Sequence, residues 1–204
     1  MLISDDHPRG RTLDVVKSFL SDDRVRYLIG PQKGIDKNKQ FLLEQCSGDA
    51  VFLCDQDDVW LPGKVEKVTE QLENGACCVM HDAYITDEYL NKTGETLFEN
   101  RRAAPGLLKN IFVNSYTGCC MALTRRAFEA ALPFPENIPM HDQWLGLVSE
   151  RIGKVVFLDE PLILWRRNPG SATGGKTTVV RKLKWRFDLI KALLNFSFEG
   201  NDDH

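Results

Sequence analysis

The sequence predicts an α/β protein in which a mainly parallel central sheet is flanked by helices. Short apolar runs typical of strands alternate with segments of helical periodicity through the first half of the chain. Two of these runs, "AVFLC" and "ACCVM", carry no polar alternation, which is typical of strands buried on both faces. Acidic residues directly follow the first of them, at the strand end where open parallel sheets bind ligands.

Composition sets the outer limits. The 204 residues suffice for one substantial domain, or for a domain with a tail, and 43% of them are hydrophobic. The net charge of -3 gives no general reason to expect nucleic acid as a partner. The first twenty residues are too charged to resemble a secretory signal, and no apolar run approaches the roughly 18 residues of a membrane span. We therefore expect a cytoplasmic protein.

The elements follow in a regular order through residue 80. Predicted in turn are the strand "MLIS", a helix over 12–20, the strand "VRYLI", a helix over 35–46, the strand "AVFLC", a helix over 64–73 and the strand "ACCVM". Pro62 suits the first turn of the helix that follows it, and Asn74-Gly75 suits its end.

The second half is less regular. It contains a polar loop over 91–105, the strand "GCCMAL", helices over 125–131 and 140–151, the strands "KVVFL" and "LILWR", and the linker "NPGSATGG". Residues 176–196 are basic and amphipathic, with apolar residues near helical spacing. Six cysteines lack the CxxC spacing of a zinc or redox site, so free buried thiols are expected.

The stretch "FLCDQDDVWLP" crowds three carboxylates, Asp55, Asp57 and Asp58, into four positions. Helix capping needs one carboxylate, and burying unpaired charges is costly, so the loop predicts a positive partner. Mg²⁺ and Mn²⁺ prefer oxygen ligands and often bridge carboxylates to a phosphate-bearing substrate. For Asp5 and Asp6, at the end of "MLIS", a ligand site and a simple strand end are both open. His81-Asp82, after "ACCVM", is expected to face the same cleft.

Six segments in order resemble the motifs of family 2 glycosyltransferases. "CDQDDVWLPGKVEK" resembles the DxD region of rhamnosyltransferase-like members. The others are "ISDDHPRGRT", "GIDKNKQFLLEQCSGD", "TGCCMALTRRAFE", "MHDQWLG" and "FLDEPLILWRRN". The resemblance covers about residues 1–174, and it implies a GT-A catalytic domain there, followed by a basic amphipathic C-terminal helix and tail over 175–204.

The resemblance also implies an activity. A sugar, rhamnose among the candidates, would pass from a dTDP- or UDP-linked donor to a hydroxyl of a glycan or lipid-linked acceptor, with inversion and with Mn²⁺ or Mg²⁺, in bacterial surface-polysaccharide synthesis. The implied roles are catalytic base for Asp142; nucleotide contact for Asp5, Asp6, Asn38 and Asp55; metal ligand for Asp57 and Asn168; and acceptor contact for His141 and Trp144. His141 replaces the family's usual glutamate, and Asn168 replaces a histidine.

Several alternatives stay open. For Trp144, the alternatives are a core residue and an acceptor contact. For the C-terminal helix, they are docking on its own domain and contact with the inner face of a membrane. The chain is an active transferase or a catalytically silent GT-A module that binds a nucleotide or a partner. A nucleotidyltransferase would need a Gly-rich basic loop near the first strand, which the sequence lacks.

The family's usual first strand, loop and helix have no counterpart before "MLIS", so the sequence predicts an incomplete version of the family domain. Removing a central strand would leave two rows of backbone donors and acceptors facing each other. Either "MLIS" and "AVFLC" become neighbours, or another chain fills the gap, or the sheet stays open.

Overall fold

The computed structural model describes residues 1–167 and 178–197. The strands there are β1 (Leu2–Asp5), β2 (Arg26–Ile29), β3 (Ala50–Phe52), β4 (Val59–Trp60), β5 (Ala76–Thr86), β6 (Lys92–Thr96), β7 (Met121–Thr124) and β8 (Lys154–Arg166). The α-helices are α1 (Thr12–Val16), α2 (Ile35–Glu44), α3 (Lys64–Glu73), α4 (Leu97–Arg101), α5 (Leu107–Phe112), α6 (Arg125–Ala130), α7 (His141–Ile152) and α8 (Val179–Asn195). Asn168, the predicted linker and the predicted boundary near residue 174 lie outside the described residues.

The sheets confirm an α/β fold but correct the predicted strand directions. β1 and β2 form a parallel two-stranded sheet, while a second sheet has the order β3-β7-β5-β8-β4, with β6 also paired to β5. Within the second sheet, only the β5–β8 pair is parallel among the described strands. The central sheet is therefore mixed. The sequence could not show this, because burial on both faces identifies an inner strand such as β5 but does not fix the direction of its neighbours.

β1 and β3 belong to different sheets. Among the described residues, β1 pairs only with β2, and β3 pairs only with β7. Of the three alternatives that the sequence left open, direct pairing of "MLIS" with "AVFLC" therefore does not form. β3 is an edge strand with only Val51 buried, which corrects the expectation of a strand buried on both faces. The β1–β2 unit also leaves apolar side chains exposed, namely Leu13, Val15, Phe19 and Ile29.

The core lies around β5 and α7. Eight consecutive residues of β5, from Ala76 to Ala83, are buried, and so are eight of α7, from Asp142 to Ser149. The predicted strands "KVVFL" and "LILWR" are one strand, β8, which continues through Pro161 opposite Asp82, where the β5–β8 register shifts. This irregularity lets a proline sit in a long strand, since the ladder is already interrupted there.

Residues 91–105 are not the predicted loop but contain β6 and α4. Thr96 accepts a hydrogen bond from the backbone of Glu99, whose side chain accepts one from the Thr96 backbone. This capping box begins α4 within a segment whose overall polarity resembles a loop.

The predicted C-terminal helix is confirmed as α8, which docks on the domain. Leu189 and Leu193 are buried, and Arg151 donates from Nη1 to the carbonyl of Leu193 at 2.9 Å. None of the described helices has the length and apolar character needed to cross a membrane.

Candidate active site

The first two turns of α2 connect three parts of the molecule. Asp36 reaches the start of α7, Asn38 reaches β1, and Lys39 reaches the loop after β3. These side chains belong to one short helix, so α2 fixes the predicted site residues of the three parts relative to one another.

Asp5 and Asp6 hold the backbone of the first sheet. Asp5 is buried and accepts hydrogen bonds from the His7 backbone at 2.8 Å and from the Tyr27 hydroxyl at 2.9 Å. Although desolvation acts to raise the pKa of Asp5, these bonds lower it overall. Asp6 accepts from the backbone N–H of Gln32 at 2.5 Å and of Gly34 at 2.7 Å, and so shapes the turn that leads into α2.

Asn38 is locked against β1. Its Oδ1 accepts from the Ser4 hydroxyl at 2.5 Å, and its Nδ2 donates to the Ser4 carbonyl at 3.4 Å. Gly30 lies beside this pair, and a Cβ added there would collide with Asn38 Oδ1 and lie 2.9 Å from Asp6 Oδ1. The close approach of α2 to β1 therefore requires glycine at this position.

The loop after β3 holds the three predicted carboxylates in different environments. Asp55 pairs with the Lys39 ammonium at 3.1 Å. Asp58 Oδ1 accepts from the Arg166 backbone N–H at 3.0 Å, and its buried Oδ2 has no hydrogen-bond partner among the described residues. Burial raises the pKa of Asp58, whereas the nearby Cys119 thiol and the Arg166 backbone N–H act to lower it. The carbonyl of Asp57 accepts from Arg166 Nε at 2.9 Å.

Asp55, Asp58 and Cys119 form a candidate ligand group for a cation. One ligand atom from each lies within 4.8 Å of the others, and Cys119 is buried. The unpartnered Asp58 oxygen and a second carboxylate suit a divalent cation, while the thiol adds a softer ligand. Asp57, the ligand that the resemblance implies, does not belong to this group. Burial also lowers the pKa of Lys64, whose ammonium donates to the Cys119 carbonyl at 3.0 Å.

His141 and Asp142 begin α7 and lie close to Gly118, the residue before Cys119. Asp36 Oδ1 accepts from the backbone N–H and the Nδ1 of His141, at 3.1 and 2.8 Å, which fixes the imidazole. Asp142 is only 5% exposed, and burial raises its pKa, whereas His141 and Arg101 act to lower it. A Cβ added at Gly118 would lie 3.3 Å from Nε2 of His141 and 3.9 Å from Cβ of Asp142.

The segment 118–119 therefore joins the two halves of the site. Gly118 packs against the His141-Asp142 pair, and the next residue, Cys119, joins the carboxylates of Asp55 and Asp58. Residues 118 and 119 thus contact the predicted base on one side and the predicted cation loop on the other.

Two expectations are corrected by burial. Trp144 is 3% exposed, donates from Nε1 to the Ala131 carbonyl at 2.8 Å and packs edge-on against Phe196, so its position fits the core and not an acceptor contact. His81 and Asp82 are buried in β5 and do not face a cleft. Asp82 instead accepts from the backbone N–H of Ala83 and Phe98, at the point where the register of β5 shifts.

Six residues of the site were missed by sequence reasoning: Asp36, Lys39, Lys64, Arg101, Cys119 and Arg166. Asp36 and Lys39 lie one helical turn apart in α2, a spacing that the sequence displays but that gains meaning only once α7 and β3 are placed. Arg101 donates to the Thr117 hydroxyl at 2.9 Å, beside Gly118, although the two residues lie far apart in the chain.

The fold and site together define the class: an α/β protein with a group of carboxylates in the loop after β3 and a buried aspartate at the start of α7. The model of the family described as glycosyl transferase family 2 matches residues 1–132. The chain belongs to this family, and its fold is the GT-A fold.

A solved structure supports the fold. The crystal structure of S. aureus TarS 1-349 is similar with a TM-score of 0.57 and 14% identity, over 79% of this chain and 49% of that chain. This chain thus spans about half the length of that protein. The bifunctional IspDF from Campylobacter jejuni matches with a TM-score of 0.44 and 10% identity, over 78% of this chain and 37% of that one, a likeness too low to support an argument. No curated protein sequence matches this chain.

Proposed function

We propose that this chain transfers a sugar from a nucleotide-diphosphate donor to a hydroxyl acceptor, with inversion at the anomeric carbon. The observation that carries the proposal is the meeting of the Asp55–Asp58 loop with the His141-Asp142 pair at residues 118–119. Inverting transfer needs a base for the acceptor hydroxyl and a positive centre for the departing diphosphate on opposite sides of one sugar.

The base is Asp142. A hydroxyl is a weak nucleophile, so a positioned carboxylate must take its proton as the new bond forms. Burial raises the pKa of Asp142, which makes its carboxylate a better proton acceptor. His141, fixed by Asp36, is oriented beside it and provides a polar contact for the acceptor.

The diphosphate is held at the loop after β3. A divalent cation bound there, Mn²⁺ or Mg²⁺, would supply positive charge to offset the charge of the departing diphosphate. Asp55 and Asp58 would hold it with Cys119, and the Asp57 carboxylate follows from the family resemblance. Lys39 keeps Asp55 in place and adds positive charge on the donor side.

The finer assignments extend the same proposal. The donor is dTDP- or UDP-linked, with rhamnose as a candidate sugar, and the product belongs to bacterial surface-polysaccharide synthesis with a glycan or lipid-linked acceptor. They rest on the resemblance of "CDQDDVWLPGKVEK" to rhamnosyltransferase-like members.

Calorimetric titration of the chain with UDP, dTDP and GDP, each with and without Mn²⁺, tests the proposal. We expect one nucleotide to bind more tightly with Mn²⁺ than without it. Asp57→Asn and Asp58→Asn form a matched pair, since each removes one negative charge from the same loop. The variant that loses the Mn²⁺ dependence identifies the ligand, and equal affinity with and without Mn²⁺ in the parent contradicts metal-dependent donor binding.

A second candidate is a catalytically silent GT-A module, and the separation of β1 from β3 favours it. The proposed nucleotide contacts come from both sheets, and α2 contacts both of them, whereas no described strand is shared between them. This candidate predicts nucleotide binding without release of nucleoside diphosphate from any sugar donor, whereas the leading proposal predicts both.

A further inference from the structure

Helix α8 carries an apolar face that the domain does not cover. Its exposed apolar residues follow one another at spacings of three and four: Val180, Leu183, Phe187, Ile190 and Leu194. At 3.6 residues per turn they form one stripe along the helix. Phe187 is 67% exposed and Leu194 is 80% exposed, so the stripe faces outward along most of its length.

The docked face of α8 lies on the other side. Leu189 and Leu193 are buried there, with Ala192 half-buried beside them. A helix that needed one apolar face for docking would carry polar residues opposite it. The outer stripe is therefore not explained by packing against the domain.

Basic residues border the exposed stripe. The helix contains five of them, Arg181, Lys182, Lys184, Arg186 and Lys191, against the single acidic Asp188, in a chain whose net charge is -3. Lys184 and Lys191 lie on one border and Arg186 on the other, given the helical spacing. The positive charge is thus concentrated where the apolar side chains are exposed.

The neighbouring helix α5 extends this surface. Its Leu108, Phe112 and the following Val113 are all more than half exposed. Arg186 donates from Nη2 to the Phe112 carbonyl at 3.1 Å, and its guanidinium lies 5.4 Å from the Phe112 ring. Two helices therefore present apolar side chains around a basic residue.

We propose that α8 and the end of α5 bind the surface of an anionic phospholipid membrane. An amphipathic helix with a basic border lies in such an interface with its apolar side chains among the acyl chains and its cations at the headgroups. Pairing with a second copy fits less well. In a parallel pair along the stripe, Arg186 would face Lys191 of the other copy, and in an antiparallel pair lysines would face lysines.

Sedimentation with lipid vesicles tests the proposal on the whole chain. Vesicles of phosphatidylcholine alone are compared with vesicles that also contain phosphatidylglycerol, at low and high salt. We expect binding to the anionic vesicles that weakens as salt is raised, because screening reduces the attraction of the basic border. Absence of binding to the anionic vesicles, or equal binding to both kinds, overturns the proposal.

Substitutions separate the apolar and charged contributions. Phe187→Glu should weaken vesicle binding by at least about tenfold, the scale for removing one buried aromatic side chain. Val65→Glu, at an exposed valine of α3, is the matched control and should leave binding unchanged. Lys184→Glu with Lys191→Glu should weaken binding by roughly 25-fold or more, at about fivefold for each lysine lost near an anionic surface.

Further controls separate a loss of membrane binding from a general effect of charge, from unfolding and from self-association. Lys17→Glu with Arg26→Glu makes the same change of charge at exposed positions outside α8 and should have little effect. Circular dichroism checks that each variant melts like the parent, and Leu194→Glu replaces Phe187→Glu if the latter unfolds. Light scattering measures the oligomeric state, and a dimer of the parent that Phe187→Glu dissolves would overturn the membrane assignment in favour of self-association.

Discussion

His81 couples the stability of this protein to pH. The side chain is 1% exposed in β5, its Nδ1 donates to the Asp82 carbonyl at 2.7 Å, and its Nε2 has no hydrogen-bond partner among the described residues. Burial, with the nearby Lys64 as a smaller cause, lowers the pKa of His81 to about 3 from its ordinary 6.5. The imidazole is therefore neutral in the folded chain and protonated in the unfolded chain at mildly acid pH.

The sign and size of the effect follow from linkage. Between the two pKa values the unfolded chain binds the extra proton, so the free energy of unfolding falls as pH falls below 6.5. Each pH unit well inside that window changes it by about 1.4 kcal/mol. Moving from pH 7.5 to pH 5.0 should therefore remove about 2 kcal/mol through His81, a large part of the 5–15 kcal/mol typical of a domain.

Urea unfolding at the two pH values measures this contribution. We expect His81→Asn and His81→Phe to be less stable than the parent at pH 7.5, because both disturb a packed strand. The informative quantity is the loss of stability between pH 7.5 and pH 5.0, which should be about 2 kcal/mol smaller in either variant than in the parent. Comparing the two variants separates loss of the titrating group from loss of volume.

Other groups that titrate in this range contribute equally to parent and variants, so they cancel in the difference. If parent and both variants lose the same stability between the two pH values, then His81 is not held neutral by burial and the assignment of its environment is wrong.

Two further predictions concern the site and the contact between α2 and β1. Asp142→Asn should lower turnover by roughly a hundredfold to ten-thousandfold with little change in donor affinity, as steady-state kinetics and titration would measure, and an equal fall in donor affinity would indicate a nucleotide contact instead. Gly30→Ala should lower the free energy of unfolding by about 1–3 kcal/mol, because the added methyl overlaps the Asn38–Ser4 pair, and an unchanged urea midpoint would contradict that packing.

Local patterns predicted most elements of the fold. The helix over 64–73 was bounded by Pro62 and Asn74-Gly75, and α3 has those bounds. The strand "MLIS" became β1, and the helix over 140–151 became α7 within one residue at each end. Such elements carry their own start and stop signals, so sequence alone suffices for them.

Strand direction and pairing could not be predicted in the same way. Whether β5 pairs parallel or antiparallel depends on where β7 and β8 arrive, and that is decided by residues far away in the chain. Hydrogen bonds across such distances, from Asp36 to His141 or from Arg166 to Asp58, leave no periodic signal. The family resemblance identified Asp55 and Asp142, but it could not show that Cys119 lies between their environments.

The carboxylates of the site differ in what they contribute to folding. Hydrogen bonds lower the pKa of Asp5 despite its burial, so its ionised form adds stability that is present above its ordinary pKa of 3.8 and is lost as pH falls. Burial raises the pKa of Asp58 and Asp142, so their ionised forms reduce stability as pH rises through the range above 3.8. A chain that keeps two carboxylates at a cost to its own stability retains them for a ligand or a proton, whereas Asp5 is retained for the fold. Asp5→Asn should therefore lower the urea midpoint at pH 7, while Asp142→Asn should leave it unchanged or raise it. The opposite order of midpoints would assign Asp142 to the fold and remove the physical argument for its role as base.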